Sequence, residues 1–110
     1  MTTLKNSVQL IGRLGNDPEV RSFDSGKTMA TFSIATNEVY YDNKGDRQEN
    51  TQWHNVVAWG KKTQIIEKYL KKGSEIAMEG KLINRSYETK EGDQRYVTEV
   101  SLNELYMIGK

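Results

Sequence analysis

Both tryptophans of the chain lie in the stretch TQWHNVVAWG, Thr51 to Gly60, at a spacing that would place them side by side on an extended strand. Successive side chains of a strand point to opposite faces. One face would therefore carry Trp53, Asn55, Val57 and Trp59, and the other His54, Val56 and Ala58. A half-buried strand normally turns its small and branched residues inward, which leaves the tryptophans at the surface. We predict that this face is a stacking platform for flat ligands.

Positively charged residues lie close to the aromatic residues along the chain. The groups are Trp59 with Lys61 and Lys62, Tyr87 with Arg85, Tyr96 with Arg95, and Tyr40 and Tyr41 with Lys44 and Arg47. Single-stranded nucleic acid offers unstacked bases to aromatic rings and phosphates to Lys and Arg, so the pattern is typical of its binders. The alternative is that the rings fill a core and the charges form an ordinary surface. That alternative is favoured for each tyrosine taken singly, but not for the tryptophans.

The residue types argue against catalysis and against a metal site. The chain has no cysteine and one histidine, His54, which excludes thiolate sites and most zinc sites. His54 lies opposite the tryptophans, with no nucleophile at a useful spacing, and is predicted to pack in the interior or in a subunit contact. Asp42, Asp46 and Glu49 lack the spacing of a calcium loop. We expect a binding protein, not an enzyme, with no cofactor and no metal.

Length and composition indicate one small polar domain, predicted over residues 1–110. Of its 110 residues 35% are hydrophobic, the mean hydropathy is -0.78 and the net charge is +1. A nucleic-acid binder of this kind must arrange its charge locally. So few apolar residues favour self-association. No apolar run approaches the roughly 18 residues of a membrane-spanning helix, and the N-terminus resembles no leader, so a cytoplasmic location without membrane partners is expected.

Hydrophobic periodicity predicts five strands and one helix. The strands are expected at 7–14, 28–41, around 51–60, 75–87 and 95–108, with turns at 15–19 and 24–27, a mobile polar loop at 42–50 and a polar hairpin at 89–94. In the helix Ile66 and Leu70 are four residues apart, and Gly73 is predicted to be its C-terminal cap. Gly12 is predicted to form a bulge or bend. This order is typical of an all-β, five-stranded Greek-key barrel of the OB type, with one α-helix between the third and fourth strands.

Five segments resemble the bacterial single-stranded DNA-binding protein family. They are GRLGNDPEVR at 12–21, TQWHNVVAWGK at 51–61, YLKKGS at 69–74, EGKL at 79–82 and RYVTEV at 95–100. The resemblance covers nearly the whole chain in the family's order and spacing. It implies an OB-fold homotetramer that binds single-stranded DNA in replication, recombination and repair, in the cytoplasm and associated with the nucleoid.

The resemblance also implies which residues bind. The family's stacking aromatics correspond to Trp53, Trp59, Tyr40 and Tyr87, although tryptophan or phenylalanine is better known at the last three positions. The cations that contact the DNA backbone correspond to Arg21, Lys61, Lys72, Arg85 and Arg95, and Lys44 lies in the loop that family members use to grip the strand.

Family members usually continue into a flexible tail with an acidic tip that recruits replication and repair proteins. This sequence ends at LYMIGK, so no acidic tail is expected within residues 1–110 and such partners are expected only if a tail exists in the full protein. A second interpretation is an OB-type protein-interaction or replication-restart accessory module whose tryptophan face docks a protein. That surface should be apolar with few cations. The cations beside the aromatics count against it.

Overall fold

Residues 5–108 of the chain are described by a computed structural model, with six strands and one helix. Residues 1–4 and 109–110, which the predicted domain includes, lie outside the described residues. The elements are β1 (Val8–Leu14), β2 (Glu19–Ser22), β3 (Thr28–Tyr41), β4 (Arg47–Trp59), α1 (Lys62–Tyr69), β5 (Glu75–Glu88) and β6 (Gln94–Met107). No helix within residues 5–108 is long and apolar enough to cross a membrane.

Five of the strands close into a barrel. The strands follow the order β1-β5-β6-β4-β3-β2, and β1 also pairs with β3, so that β1, β5, β6, β4 and β3 form a closed ring. Closure removes the free edges that an open sheet of this length would expose. The β4–β6 contact is parallel, and every other pairing is antiparallel. The predicted OB-type barrel, with its helix after the tryptophan strand, is confirmed.

The barrel interior is filled by alternate residues of the strands and by one side of the helix. Strand β3 buries Ala30, Phe32 and Ile34, as the alternation predicts, and α1 adds Ile66. The remaining core members are Leu14, Val56, Ala58, Leu70, Ile76, Met78, Val100 and Leu102. Since the interior takes the even-numbered residues of β3 and β4 within the barrel, their odd-numbered residues point outward.

Two predictions about the connections are wrong. The polar residues 47–50 are not loop but the start of β4, paired with β3, so the connection shortens to residues 42–46. The helix ends at Tyr69, and the amide of Leu70, its C-cap, donates to the carbonyl of Ile66. Gly73 lies further on with φ 90°, in a turn whose amide donates to the carbonyl of Leu14, so it does not cap the helix.

Of the bulge or bend predicted at Gly12, the bulge is wrong, and the bend stays a prediction. Gly12 pairs with Ile76 in regular register, and the irregularity between β5 and β6 falls at Glu79 and Gly80. The glycine is needed for another reason: a Cβ at residue 12 would lie 2.9 Å from the carbonyl carbon of Ala35 and closer still to its oxygen. Gly12 therefore allows β1 to approach β3 where the barrel closes.

Candidate nucleic-acid interface

The two tryptophans lie on the outer face of the β3–β4 ribbon, as their spacing predicts. Trp59 pairs with Met29 and Trp53 with Ala35, so all four side chains lie on one face. Trp53 is 61% exposed and Trp59 48%. Between them on the same face, Val57 is buried and Asn55 is exposed, so the exposed part of this surface consists of two indole rings and one amide side chain. Such rings offer flat apolar area to a ligand.

Strands β5 and β6 extend this surface beyond Trp59. Tyr87 pairs with Arg95, and both lie on the same face of their hairpin as Arg85. Arg85 and Glu99 line a hollow of about 290 Å³ together with Trp59. We call this continuous surface the aromatic face. It is made of the outward residues of β2, β3 and β4 and of the Arg85 side of β5 and β6, and it includes Arg21, Trp53, Trp59, Arg85, Tyr87 and Arg95.

A third aromatic ring, which the sequence analysis missed, supports Trp59. The ring of Phe23 stacks on the Trp59 indole with centroids 6.0 Å apart and planes 27° from parallel. Phe23 follows β2 directly, a strand that the sequence analysis does not predict, so no alternation indicates the position of its ring. On another side, Trp59 and Lys61 line a second hollow of about 590 Å³. Trp59 therefore has one ring partner and an open hollow beside it.

Trp53 is positioned by the segment that follows β1. A Cβ at Gly15 would lie 2.9 Å from Cη2 of the Trp53 indole, so the ring edge occupies the space that glycine leaves. The neighbouring Asn16 holds β3 in place, because its side-chain oxygen accepts hydrogen bonds from the amide and the hydroxyl of Ser33 at 3.0 and 2.8 Å. The predicted turn at 15–19 thus shapes the surface beside the tryptophan.

Two carboxylates on the aromatic face are neutralised by arginines. Arg85 donates to both oxygens of Glu99, at 2.8 and 3.2 Å, and the Glu99 side chain is only 11% exposed. These hydrogen bonds, and then the charge of Glu99, raise the pKa of Arg85 above its ordinary value. Arg47 donates to Glu49 at 2.8 Å. The face is therefore less negative than its composition suggests, and Arg85 is held in a fixed orientation.

The other predicted cations have free side chains but not all lie on this face. Within residues 5–108, the side chains of Arg21 and Arg95 have no hydrogen-bond or ion-pair partner, and both belong to the aromatic face. Lys61 lies beside Trp59. Lys72 lies after the helix, where its amide donates to Asp17, and Lys44 lies in the 42–46 connection, where its amide donates to Asp42. The structure thus brings Arg21 and Lys61 to Trp59 and Arg95 to Tyr87, and it leaves Lys44 at the hairpin tip.

Tyr40 and His54 lie on the opposite face of the ribbon. Tyr40 pairs with Gln48 and Ile34 with His54, so both residues share the inward side of β3 and β4. The Nε2 atom of His54 lies 3.0 Å from the hydroxyl of Thr36. His54 also lines a groove of about 640 Å³ between the ribbon and the outside of β1 and β6. Tyr40 is exposed, yet the register does not bring it beside the tryptophans.

The acidic residues and the single histidine of the described part of the chain do not form a metal-binding cluster. Among residues 5–108, no three His, Asp or Glu side chains lie close enough together to hold a metal ion. Glu49 and Glu99 of the aromatic face are each paired with an arginine, whereas Glu19 at the start of β2 lies on the same side as Arg21 and is exposed. The arrangement can therefore stack planar groups and attract phosphates.

A closed five-stranded barrel with one helix after its tryptophan strand has the architecture of the oligonucleotide-binding (OB) fold. Residues 5–108 match the family model described as the single-strand binding protein family, and the chain belongs to that family. The resemblance found in the sequence is thereby confirmed.

Curated and solved relatives agree with this assignment. Single-stranded DNA-binding protein 1 of Chlorobaculum tepidum is 47% identical over 105 residues, and the single-stranded DNA-binding protein of Neisseria meningitidis serogroup B is 43% identical over 104 residues. Each alignment covers 94% of this chain, which spans only 65% and 60% of the two relatives. A solved structure described as Plasmodium falciparum SSB complex with ssDNA superposes with a TM-score of 0.88 at 32% identity, over 99% of this chain and 98% of that one.

Proposed function

We propose that this chain binds single-stranded DNA without regard to sequence and protects it during replication, recombination and repair. The observation that carries the proposal is the joint exposure of Trp53, Trp59 and Tyr87 on one face, with the unpaired guanidinium groups of Arg21 and Arg95 beside them. The 32% identical structure described as a complex with ssDNA supports it.

Binding follows from two additive contributions. Bases stack on the exposed rings, each contributing about 1 to 3 kcal/mol, because every base has a flat face and the contact does not depend on its identity. Arginine and lysine side chains contact the phosphates between stacked bases and release counterions. We assign stacking to Trp53, Trp59 and Tyr87, and phosphate contacts to Arg21, Lys61, Arg85 and Arg95. Phosphate contacts by Lys44 and Lys72 stay predictions from the resemblance, because both lysines lie outside the aromatic face. Tyr40 stays a prediction from the resemblance, because its ring faces away from the tryptophans.

The protein acts by binding and not by catalysis, and we place it in the cytoplasm with the nucleoid. Both statements are inferences from its family and from the chemistry of the aromatic face, which holds rings and cations but no nucleophile with a base.

Self-association into a homotetramer is the second part of the proposal. The groove beside His54 is lined by Ile11 and Tyr106, whose side chains are 64% and 66% exposed. Monomeric proteins rarely leave large neighbouring apolar side chains in contact with water. A neighbouring copy that covers these side chains would remove their apolar area from water. Sedimentation equilibrium of the wild type and of His54→Ala tests this. A shift of the variant to smaller species is expected, and a monomeric wild type would contradict the assembly.

Tryptophan fluorescence gives the direct test of DNA binding. Both tryptophans lie on the aromatic face, so an unstructured oligo-dT should quench the emission strongly at low salt and partly at high salt. Duplex DNA of equal length should not, because its bases are already stacked on each other. If neither salt gives quenching, single-stranded DNA does not bind this face and a protein ligand becomes the better explanation.

A further inference from the structure

The aromatic face changes character between its two tryptophans. Trp53 and Trp59 are six residues apart on β4, which corresponds to roughly 20 Å at the rise of a strand. A single strand stacked on both indoles therefore carries intervening bases that neither ring reaches. The surface under those bases is polar, so they must be held by contacts other than stacking on an indole.

A hollow of about 270 Å³ occupies this interval. The strand register forms it, because Thr31 pairs with Glu19 of β2 and Ser33 pairs with Asn55 of β4. The hollow begins beside the Trp53 ring, since a Cβ at Gly15 would lie 2.9 Å from Cη2 of the indole and 3.0 Å from the Ser33 hydroxyl. Its polar lining consists of Asn16, Glu19, Thr31, Ser33 and Asn55.

Some of these polar groups are already hydrogen-bonded and others are free. The Oδ1 atom of Asn16 accepts from the amide and the hydroxyl of Ser33, and its Nδ2 atom donates to the carbonyl of Asp17 at 3.0 Å. The Ser33 hydroxyl has thus used its proton and keeps only acceptor capacity. Within residues 5–108, the exposed side chains of Glu19 and Asn55 have no hydrogen-bond or ion-pair partner.

Glu19 is the only charged side chain among the described residues that line the hollow. Arg21, two residues along β2 on the same side, lies at the Trp59 end and forms no ion pair with it. A carboxylate repels a phosphate, and it accepts hydrogen bonds without donating any. The hollow therefore suits the edge of a base that donates. Cytosine and adenine offer an exocyclic amino group there, whereas thymine offers a carbonyl at the position of the cytosine amino group.

We propose that the hollow between Trp53 and Trp59 is a base-edge site, in which Glu19 accepts a hydrogen bond from an exocyclic amino group and the Asn55 amide contacts the rest of that edge. This inference rests on the proposed function and deepens it. Stacking on the rings stays indifferent to sequence, and the hollow adds a preference for cytosine over thymine or uracil. The Asn55 amide has both a donor and an acceptor, so it serves either kind of base by rotation, and Glu19 discriminates.

Oligo-dC and oligo-dU of equal length test this directly, because the two bases differ only at ring positions 3 and 4. Both affinities are followed by tryptophan fluorescence at one salt concentration, above neutral pH, where cytosine is unprotonated. Glu19→Ala should lower the ratio of oligo-dC affinity to oligo-dU affinity roughly fivefold. Its affinity for oligo-dU should rise slightly, since a charge that repels phosphates is gone. Asn55→Ala should weaken binding of both by similar factors and leave the ratio unchanged.

Two further variants separate the contact from the charge. Glu67→Ala removes an exposed carboxylate from α1, outside the hollow, and should leave the ratio at its wild-type value. Glu19→Gln removes the charge but keeps one acceptor oxygen, so its ratio should lie between those of the wild type and Glu19→Ala. Glu19 and Asn55 are exposed and unpaired, so the urea midpoints of their variants should stay close to that of the wild type.

The outcomes distinguish this inference from the proposed function. If the wild type binds neither oligonucleotide, the proposed function fails. If the wild type binds both and Glu19→Ala changes both affinities by the same factor, Glu19 only repels phosphates and the base-edge site is excluded. A ratio that falls as far in Glu67→Ala as in Glu19→Ala would overturn the proposal as well, because net charge and not a contact would then set the preference.

Discussion

The edge of the Trp53 indole lies against Gly15, so that a methyl group at residue 15 would lie 2.9 Å from Cη2 and nearer still to Cζ3. Gly15 has no positive φ, so its lack of a side chain, not its backbone freedom, is what the structure uses. The contact couples the segment after β1 to the orientation of a ring that the proposed function requires.

Gly15→Ala should therefore weaken DNA binding more than it weakens the fold. The indole is the far end of a flexible side chain and can rotate away from the new methyl group, which costs little stability but misplaces the ring. We expect affinity for oligo-dT to fall threefold to tenfold, about 1 kcal/mol of a stacking contact, with a urea midpoint near that of the wild type. Unchanged affinity and unchanged quenching would show that Trp53 tolerates either orientation.

Gly12→Ala should give the opposite result. The obstacle there is the backbone carbonyl of Ala35, which cannot move without disturbing the β1–β3 pairing that closes the barrel. Overpacking of this kind costs about 1 to 3 kcal/mol, so the urea midpoint should fall clearly. The folded fraction should still bind oligo-dT with near wild-type affinity. A loss of affinity without a loss of stability would contradict this division of roles between the two glycines.

The faces of the long strands could be predicted from the sequence because the barrel interior imposes alternation on them. Ala30, Phe32 and Ile34 are inside and the tryptophans outside, as period two requires. Where the interior ends, that signal ends as well. Residues 47–50 lie in a ribbon with solvent on both sides. Their composition is therefore polar and typical of a loop, although they pair with β3. Strand β2 was missed because it is four residues long and depends on β3 for its pairing.

The site was predictable in its residue types but less in its geometry. Exposure of the tryptophans follows from local alternation. The contacts of Phe23 with Trp59 and of Arg85 with Glu99 join residues far apart in sequence, and no local pattern encodes them. The assignment of Tyr40 comes from its position in the family, and the strand register places it on the side of His54. Register depends on the pairing of two strands, which a single sequence does not reveal.

Phe23→Ala should make the Trp59 side chain more mobile and more exposed to water. The Phe23 ring covers one face of the indole at a centroid distance of 6.0 Å, and its removal leaves that face in water. We expect a red-shifted tryptophan emission in the free protein and a few-fold loss of oligo-dT affinity, because the ring must be ordered on binding. Phe23→Leu keeps apolar cover without a ring and should recover part of the affinity. Identical spectra for wild type and Phe23→Ala would remove Phe23 from the site.

Arg85→Ala should cost more than Arg95→Ala in both stability and affinity. Removing Arg85 leaves Glu99, only 11% exposed, as an unpaired carboxylate on the face that receives phosphates. Arg95 has no partner among the described residues, so its loss removes only a contact. Addition of Glu99→Gln to Arg85→Ala should recover part of both losses, since the stranded charge is gone. A double variant no better than Arg85→Ala would exclude that explanation.

The Arg85 pair should be insensitive to pH from neutral upward. Glu99 raises the pKa of Arg85 above its ordinary value, so the guanidinium is charged in the folded and the unfolded chain at neutral pH. A raised pKa contributes stability that is fully present below the unfolded value and is lost only as pH rises through the folded one. The stability difference between wild type and Arg85→Ala should therefore be constant between pH 7 and pH 10. A difference that vanished in this range would point to another partner.

Lys61→Ala should act through the salt dependence of binding and not through stacking. Lys61 lies beside Trp59 at the start of α1, where its ammonium group can reach a phosphate next to a stacked base. Each phosphate neutralised on a single strand contributes about -0.7 to the slope of log K against log salt, so the variant's slope should be shallower by about that amount. Its affinity should be lowest relative to the wild type at low salt and converge with it at high salt, while maximal quenching stays the same. Lys68→Ala is the control, because Lys68 lies 5.3 Å from the centre of the Tyr69 ring on the helix and should leave the slope unchanged. Parallel lines for wild type and Lys61→Ala would place the phosphate contact elsewhere.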